Sequence, residues 1–263
     1  MRVANDDARI DVRVDGETGD AIVLLAGLML TREVWDAQAK MLSAKYRVIR
    51  PDLRGVGATN VPDGPYLMET FASDVAAVLD SLGIERAAIA GHSLGGYVAI
   101  AFARMYLERL SRLALVCSRI DADTPELSKI RYGLAERVES ERSPMPAVEW
   151  YFPKMLASTC YEGASAPAQT LAGMMKAADY RGAAATLRGM ALRDPGTDIA
   201  ADVSAPVLVV AGGLDRSVPF ENARATAAAF PNSRLEVLEE SGHVPMLEEP
   251  GRLGTLLEAW MVR

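Results

Sequence analysis

Gly91-His92-Ser93-Leu94-Gly95 reads G-x-S-x-G, a spacing in which a serine can serve as a nucleophile if the chain around it turns sharply. The pattern is short enough to recur by chance, so its setting decides its weight. Here it follows the apolar segment Ala87-Ala-Ile-Ala90 and opens a helix-like stretch from Leu94, which is a strand-turn-helix arrangement. In such a turn the serine backbone is strained and its hydroxyl projects above the sheet. Small residues at Gly91, Gly95 and Gly96 let strand and helix approach closely. The helix N-terminus beside Ser93 favours negative charge there.

A serine hydroxyl is a poor nucleophile near neutral pH and needs a base within hydrogen-bond reach, itself oriented by a third group. The chain has only two histidines. His92 adjoins Ser93 on the turn, so its ring should point away from the hydroxyl, and it is expected as a satisfied packing residue. His243, in Ser241-Gly-His-Val-Pro245, follows the strand-like Leu235-Glu-Val-Leu238 and is the expected base. Asp215, in Ala211-Gly-Gly-Leu-Asp215, follows a strand and precedes His243, which makes it the expected orienting acid. Asp121 and Asp123, beyond the strand ending at Cys117, are its rivals. The tetrahedral intermediate of acyl transfer also needs backbone N–H donors. They are expected at Leu94, the residue after the nucleophile, and at Leu28, after the turn at Gly27.

These residues need a scaffold that brings distant loops to one edge. Ala21-Ile-Val-Leu-Leu-Ala26, Arg47-Val-Ile-Arg50, Ala87-Ala-Ile-Ala90 and Val207-Leu-Val-Val-Ala211 read as strands buried on both faces. Leu113-Ala-Leu-Val-Cys117 and Leu235 to Leu238 read as further strands, and Ile10 to Val14 alternates as an edge strand would. Helical periodicity covers Met68 to Leu82, Leu94 to Tyr106, Glu221 to Ala229 and Gly251 to Val262. Alternation of this kind predicts an α/β fold with a mostly parallel sheet and helices on both faces. It breaks between about Arg119 and Val203, where four helix-like stretches follow one another. Residues 1–118 and 204–263 are therefore expected to form the core, and residues 119–203 a helical cap inserted at the strands' carboxyl edge.

The chain has 263 residues, enough to bury roughly three quarters of its unfolded surface without a staple. With 28 Lys+Arg against 35 Asp+Glu and a net charge of −7, no nucleic-acid partner is expected. Cys117 and Cys160 fit neither a zinc spacing nor a disulfide framework and are expected as small buried hydrophobes; no metal and no cofactor is expected. The charged N-terminus lacks the apolar core of a secretory signal, and the longest apolar run, Ala21 to Leu30, is about half a membrane span. The expectation is a cytoplasmic protein, monomer or homodimer, with no membrane partner.

Leu24-Leu-Ala-Gly-Leu28, Pro51-Asp-Leu-Arg-Gly-Val-Gly57, Gly91-His-Ser-Leu-Gly-Gly96, and Gly212-Gly-Leu-Asp215 with Gly242-His243 together resemble the α/β-hydrolase superfamily over nearly the whole chain. The order Ser93, Asp215, His243 is the order on that sheet. The resemblance is greatest to small bacterial carboxylesterases and 3-oxoadipate enol-lactonase-like hydrolases. It implies an α/β-hydrolase fold of about eight strands and hydrolysis of carboxylic esters or lactones. Two blocks depart from the usual pattern: Ala26-Gly27 stands where His-Gly is common, and Arg54-Gly-Val-Gly57 where Arg-Gly-His-Gly is common. The resemblance also admits a cofactor-free haloperoxidase or perhydrolase, and a slow-turnover ligand receptor or signalling protein.

The insertion is rich in Met145, Trp150, Tyr151, Phe152, Met155, Met174, Met175, Tyr180 and Met190. Most are expected to pack the cap, and those that face the cavity favour small or medium apolar acyl groups or lactones. Arg119, Arg131 and Arg188 could anchor a substrate carboxylate, but each also reads as a solvated surface charge, and the sequence selects none of them.

Overall fold

The computed structural model describes residues 1–161 and 165–262; residues 162–164 and 263, which fall within the expected cap and core, lie outside it. In chain order its strands are β1 (Arg2–Asn5), β2 (Ala8–Asp15), β3 (Ala21–Leu25), β4 (Arg47–Pro51), β5 (Ala87–His92), β6 (Leu110–Val116), β7 (Val207–Gly212) and β8 (Ser233–Leu238). The helices of the core are α1 (Asp36–Leu42), α2 (Met68–Ser81) and α3 (Leu94–Met105). Between β6 and β7 come α4 (Pro125–Ser140), α5 (Met145–Met155), α6 (Ser158–Tyr161), α7 (Ala166–Ala177) and α8 (Tyr180–Ala191). The chain ends on α9 (Phe220–Ala229), α10 (Pro245–Glu248) and α11 (Pro250–Met261).

The eight strands form one sheet in the order β1-β2-β4-β3-β5-β6-β7-β8. Only β1/β2 and β2/β4 pair antiparallel; the other five pairs are parallel. Every residue of β3, β5 and β7 is buried, because helices cover both faces of the parallel part. The Ile10 to Val14 segment, expected at an edge, is instead the second strand, and β1 caps it on the outside. A strand with one wet face alternates whether or not it has an outer neighbour, so the pattern alone could not separate the two positions.

Register places the functional loops together. Leu25 of β3 lies opposite Gly91 of β5, His92 opposite Val116 of β6, Val116 opposite Val210 of β7, and Gly212 opposite Leu238 of β8. The loops that follow these strand ends carry Leu28, Ser93, Asp215 and His243, so four segments spread over more than 200 residues open onto one sheet edge.

The helices between β6 and β7 reach this edge and are fixed to it. Within the segment, α4 packs along α8. The backbone N–H of His243 donates to the Met155 carbonyl at the end of α5, 2.9 Å away. Among the described residues no helix is long and apolar enough to cross a membrane.

Candidate active site

Ser93 is the N-cap of α3 with φ 51° and ψ −112°, a left-handed conformation that costs a non-glycine residue about 1–3 kcal/mol. The turn is held rigidly. The Ser93 N–H donates to Val116 O at 3.0 Å, which carries the β5/β6 pairing one residue past the strand, and the Ser118 hydroxyl donates to Ser93 O at 2.9 Å. Glycine is obligatory on both sides, since a Cβ at Gly91 would sit 2.1 Å from Gly95 O, and one at Gly95 would sit 2.4 Å from Leu25 O.

The structure brings Asp215 and His243 together. His243 Nδ1 lies 2.8 Å from Asp215 Oδ2, and their side chains are 3% and 1% exposed. The other carboxylate oxygen, Oδ1, accepts from the backbone N–H groups of Ser217 (2.7 Å) and Val218 (2.9 Å), so the acid cannot rotate without breaking three bonds. With Nδ1 occupied by the carboxylate, the other ring nitrogen is the one left to exchange a proton. Of the rival acids, Asp123 is engaged elsewhere, both its oxygens being taken by arginines, and among the described residues the Asp121 carboxylate makes no bond to His243.

Ser93 and His243 line one cavity together with Leu28, its walls completed by Tyr97, Leu127, Val218 and residues of the inserted helices. Leu28 thus reaches the cavity wall and Leu94 opens α3; among the described residues, no hydrogen bond takes up the N–H of either. Five of the nine Met and aromatic residues singled out in the insertion face the cavity: Trp150, Tyr151, Met155, Met175 and Met190. Its volume is about 150 Å³. An engineered apolar cavity of that size binds benzene, so the space suits a small group.

The model of the alpha/beta hydrolase family matches residues 22–254. The chain belongs to the alpha/beta hydrolase family. It is similar to a thermophilic esterase from Thermogutta terrifontis, solved with malate bound, at 33% identity and a TM-score of 0.95, covering 99% of this chain and 97% of that one. The enol-lactonase of Burkholderia xenovorans LB400 shares 25% identity with a TM-score of 0.92 over 100% of both chains. Among curated relatives, 3-oxoadipate enol-lactonase 2 of Acinetobacter baylyi is 27% identical over 244 residues, covering 92% of this chain and 89% of that one.

Three features of this alpha/beta hydrolase lay beyond sequence reasoning. Glu248, in α10, gathers the histidine loop: its carboxylate accepts from the N–H groups of Gly242 (3.0 Å) and Val244 (3.1 Å) on either side of His243, and from Ala157 N (2.7 Å) in the insertion. Nothing in the run Glu248-Glu249 marks which of the two half-buried acids gathers the loop. Cys117, with φ 47°, places its sulfur within 4.8 Å of the Asp215 and His243 ligand atoms. Burial, reinforced by the Asp215 charge, pushes its thiol well up, which keeps it protonated. Cys160, expected to be buried like Cys117, is only half-buried, against Glu248.

His92 is the third. It is fully buried, and its Nε2 donates to the carbonyl oxygen of His243 at 2.8 Å, tying the elbow to the histidine loop. Its Nδ1 has no partner among the described residues, so it is half-satisfied rather than fully satisfied. Burial first, and then repulsion from His243, hold its pKa well below the ordinary 6.5. A histidine whose folded pKa is depressed stabilises the fold above its unfolded pKa and loses that contribution as pH falls. Stability should therefore decline below about pH 6.5, with a His92 share of at most about 1.4 kcal/mol per pH unit. Urea unfolding of the wild type and His92→Gln between pH 7.5 and 5.5 measures this, the variant showing the shallower decline; parallel curves would sink it.

Proposed function

We propose that the chain is a cofactor-independent serine hydrolase that cleaves carboxylic ester or lactone bonds of small substrates with an apolar body, using Ser93, His243 and Asp215 through an acyl-enzyme. The observation that carries this reading is that a serine held at φ 51° and a histidine bonded to a buried aspartate line the same cavity.

His243 takes the proton of Ser93 through Nε2, and Ser93 Oγ attacks the carbonyl carbon. The resulting oxyanion lies between the Leu28 and Leu94 N–H groups, aided by the N-terminal end of α3. His243 returns the proton to the departing alcohol, which in a lactone remains attached as a hydroxyl on the acyl chain. Water then enters, gives its proton to His243, and attacks the acyl-enzyme to release the acid and restore Ser93. Asp215 holds the ring in the tautomer that can accept the first proton and stabilises the imidazolium. Residues 119–203 act as the cap, supplying the Met and aromatic walls that exclude water from the acyl group.

A fluorophosphonate probe together with a panel of short-chain aryl esters and simple lactones tests the reading. The expected result is turnover of members of the panel and a single phosphonyl adduct located on Ser93 by peptide mass spectrometry. An adduct elsewhere, or none, would count against Ser93 as nucleophile.

A further inference from the structure

The cavity that holds Ser93 is lined by four cationic side chains, Arg119, Arg131, Lys154 and Arg216, and among the described residues by no Asp or Glu. This imbalance is built into the fold beneath the wall. Asp123, only 1% exposed, is shared by three guanidiniums: Arg119 Nη2 donates to it at 2.7 Å, and Arg131 and Arg193 form short ion pairs with it. Three cations on one carboxylate leave an excess of positive charge in a buried cluster. Burial raises the Asp123 carboxyl, but its bond to Arg131 and the charges of Arg131 and Arg193 outweigh this and hold it below its ordinary value, so it stays ionised.

The three arginines differ in what they have left to offer. Arg193 is occupied by Asp123, by the Asp121 carbonyl and by the Tyr97 ring, 4.0 Å away. Arg131 spends its donors on Asp123, the Tyr151 hydroxyl (2.8 Å) and the Met190 sulfur. Arg119 makes one bond, leaves its remaining N–H groups without a protein acceptor among the described residues, and reaches the cavity with 15% of its side chain exposed. Also lining the cavity, Lys154 lies over the Trp150 ring at 3.6 Å and Arg216 bonds only the Pro153 carbonyl, so neither meets a carboxylate among the described residues. Unpaired cations around a partly desolvated cavity are costly unless an anion joins them.

We propose that the substrate is an ester or lactone that carries a separate carboxylate, and that Arg119 is the anchor that binds it. Arg131 shares Asp123 with the anchor, and Lys154 and Arg216 add positive charge that draws the anion into the cavity. The proposal rests on the hydrolase reading and adds the substrate class to it.

The test compares the monomethyl ester of a four- or five-carbon dicarboxylic acid with its dimethyl ester, the same acyl chain without the charge. In the wild type, kcat/KM should favour the half-ester by roughly 10- to 100-fold, the range that a charged hydrogen bond supplies. The preference should shrink in 0.5 M salt, because part of the attraction is long-range. In Arg119→Gln the ratio of the two kcat/KM values should fall towards one, and in Arg119→Lys it should be intermediate. If the Arg119 variants fail to fold, the wild-type ratio and its salt dependence still decide. A wild-type ratio of one or less, with the neutral ester cleaved, overturns the carboxylate anchor and leaves the hydrolase reading standing. Failure to cleave either ester, or any aryl ester, overturns both.

Discussion

Ser93→Ala is expected to lower kcat on a short-chain aryl ester by about 10⁴- to 10⁶-fold, leaving only what the oxyanion donors and binding contribute over water. In the proposed mechanism the Ser93 hydroxyl oxygen is the atom that attacks, so the loss should fall on kcat rather than KM. The fold should survive, because the bonds that hold the turn, Ser93 N–H to Val116 O and Ser118 Oγ to Ser93 O, involve the backbone of Ser93 and not its hydroxyl. A companion variant separates chemistry from strain. Ser93→Gly loses the same nucleophile but relaxes φ 51°, and should be more stable than Ser93→Ala by about 1 kcal/mol or more. The two measurements needed are stopped-flow or steady-state hydrolysis and urea unfolding of all three proteins. Retention of more than about 1% of wild-type kcat in Ser93→Ala would remove Ser93 from the mechanism.

The parts of the molecule that were legible in the sequence are those where one local signal decides. β3, β5 and β7 were readable because strands buried on both faces are continuous apolar runs, and helices α2, α3, α9 and α11 because an apolar stripe recurs at helical spacing. The elbow was readable because its glycines are demanded by sub-3 Å backbone approaches. β1, only four residues long, and α1, seven residues, carry too few positions for a period to emerge. The polar interior was harder still. Arg131 is 4% exposed, yet its sequence surroundings, Lys129-Ile-Arg131-Tyr132, are those of a solvated helix face. What buries it is Asp123 eight residues earlier and Tyr151 twenty later, partners that only folding brings together. Arg188, which looked equivalent, points out to Glu139 and does not line the cavity.

Asp215→Asn is expected to lower kcat by about 10⁴-fold while barely moving stability, which is the signature of an orienting acid. The amide has the size of the carboxylate, and its oxygen can still accept from Ser217 N and Val218 N, so the loop after β7 keeps its two backbone bonds. Its other atom, however, is now an N–H donor facing His243 Nδ1. The ring can meet that donor only by presenting a bare Nδ1, which moves its proton to Nε2 and leaves no lone pair to take the proton of Ser93. The tautomer is wrong although every heavy atom stays in place. The defect should therefore appear equally in ester turnover and in the rate of fluorophosphonate labelling, since both begin with deprotonation of Ser93. Asp123→Asn provides the contrast. Both oxygens of that residue hold arginines, so its loss should lower the unfolding midpoint and loosen the cation cluster without a tautomer effect on His243. If Asp215→Asn kept kcat within tenfold of wild type, the acid that orients His243 would have to be another group, although no other described carboxylate lies within bonding distance of its ring.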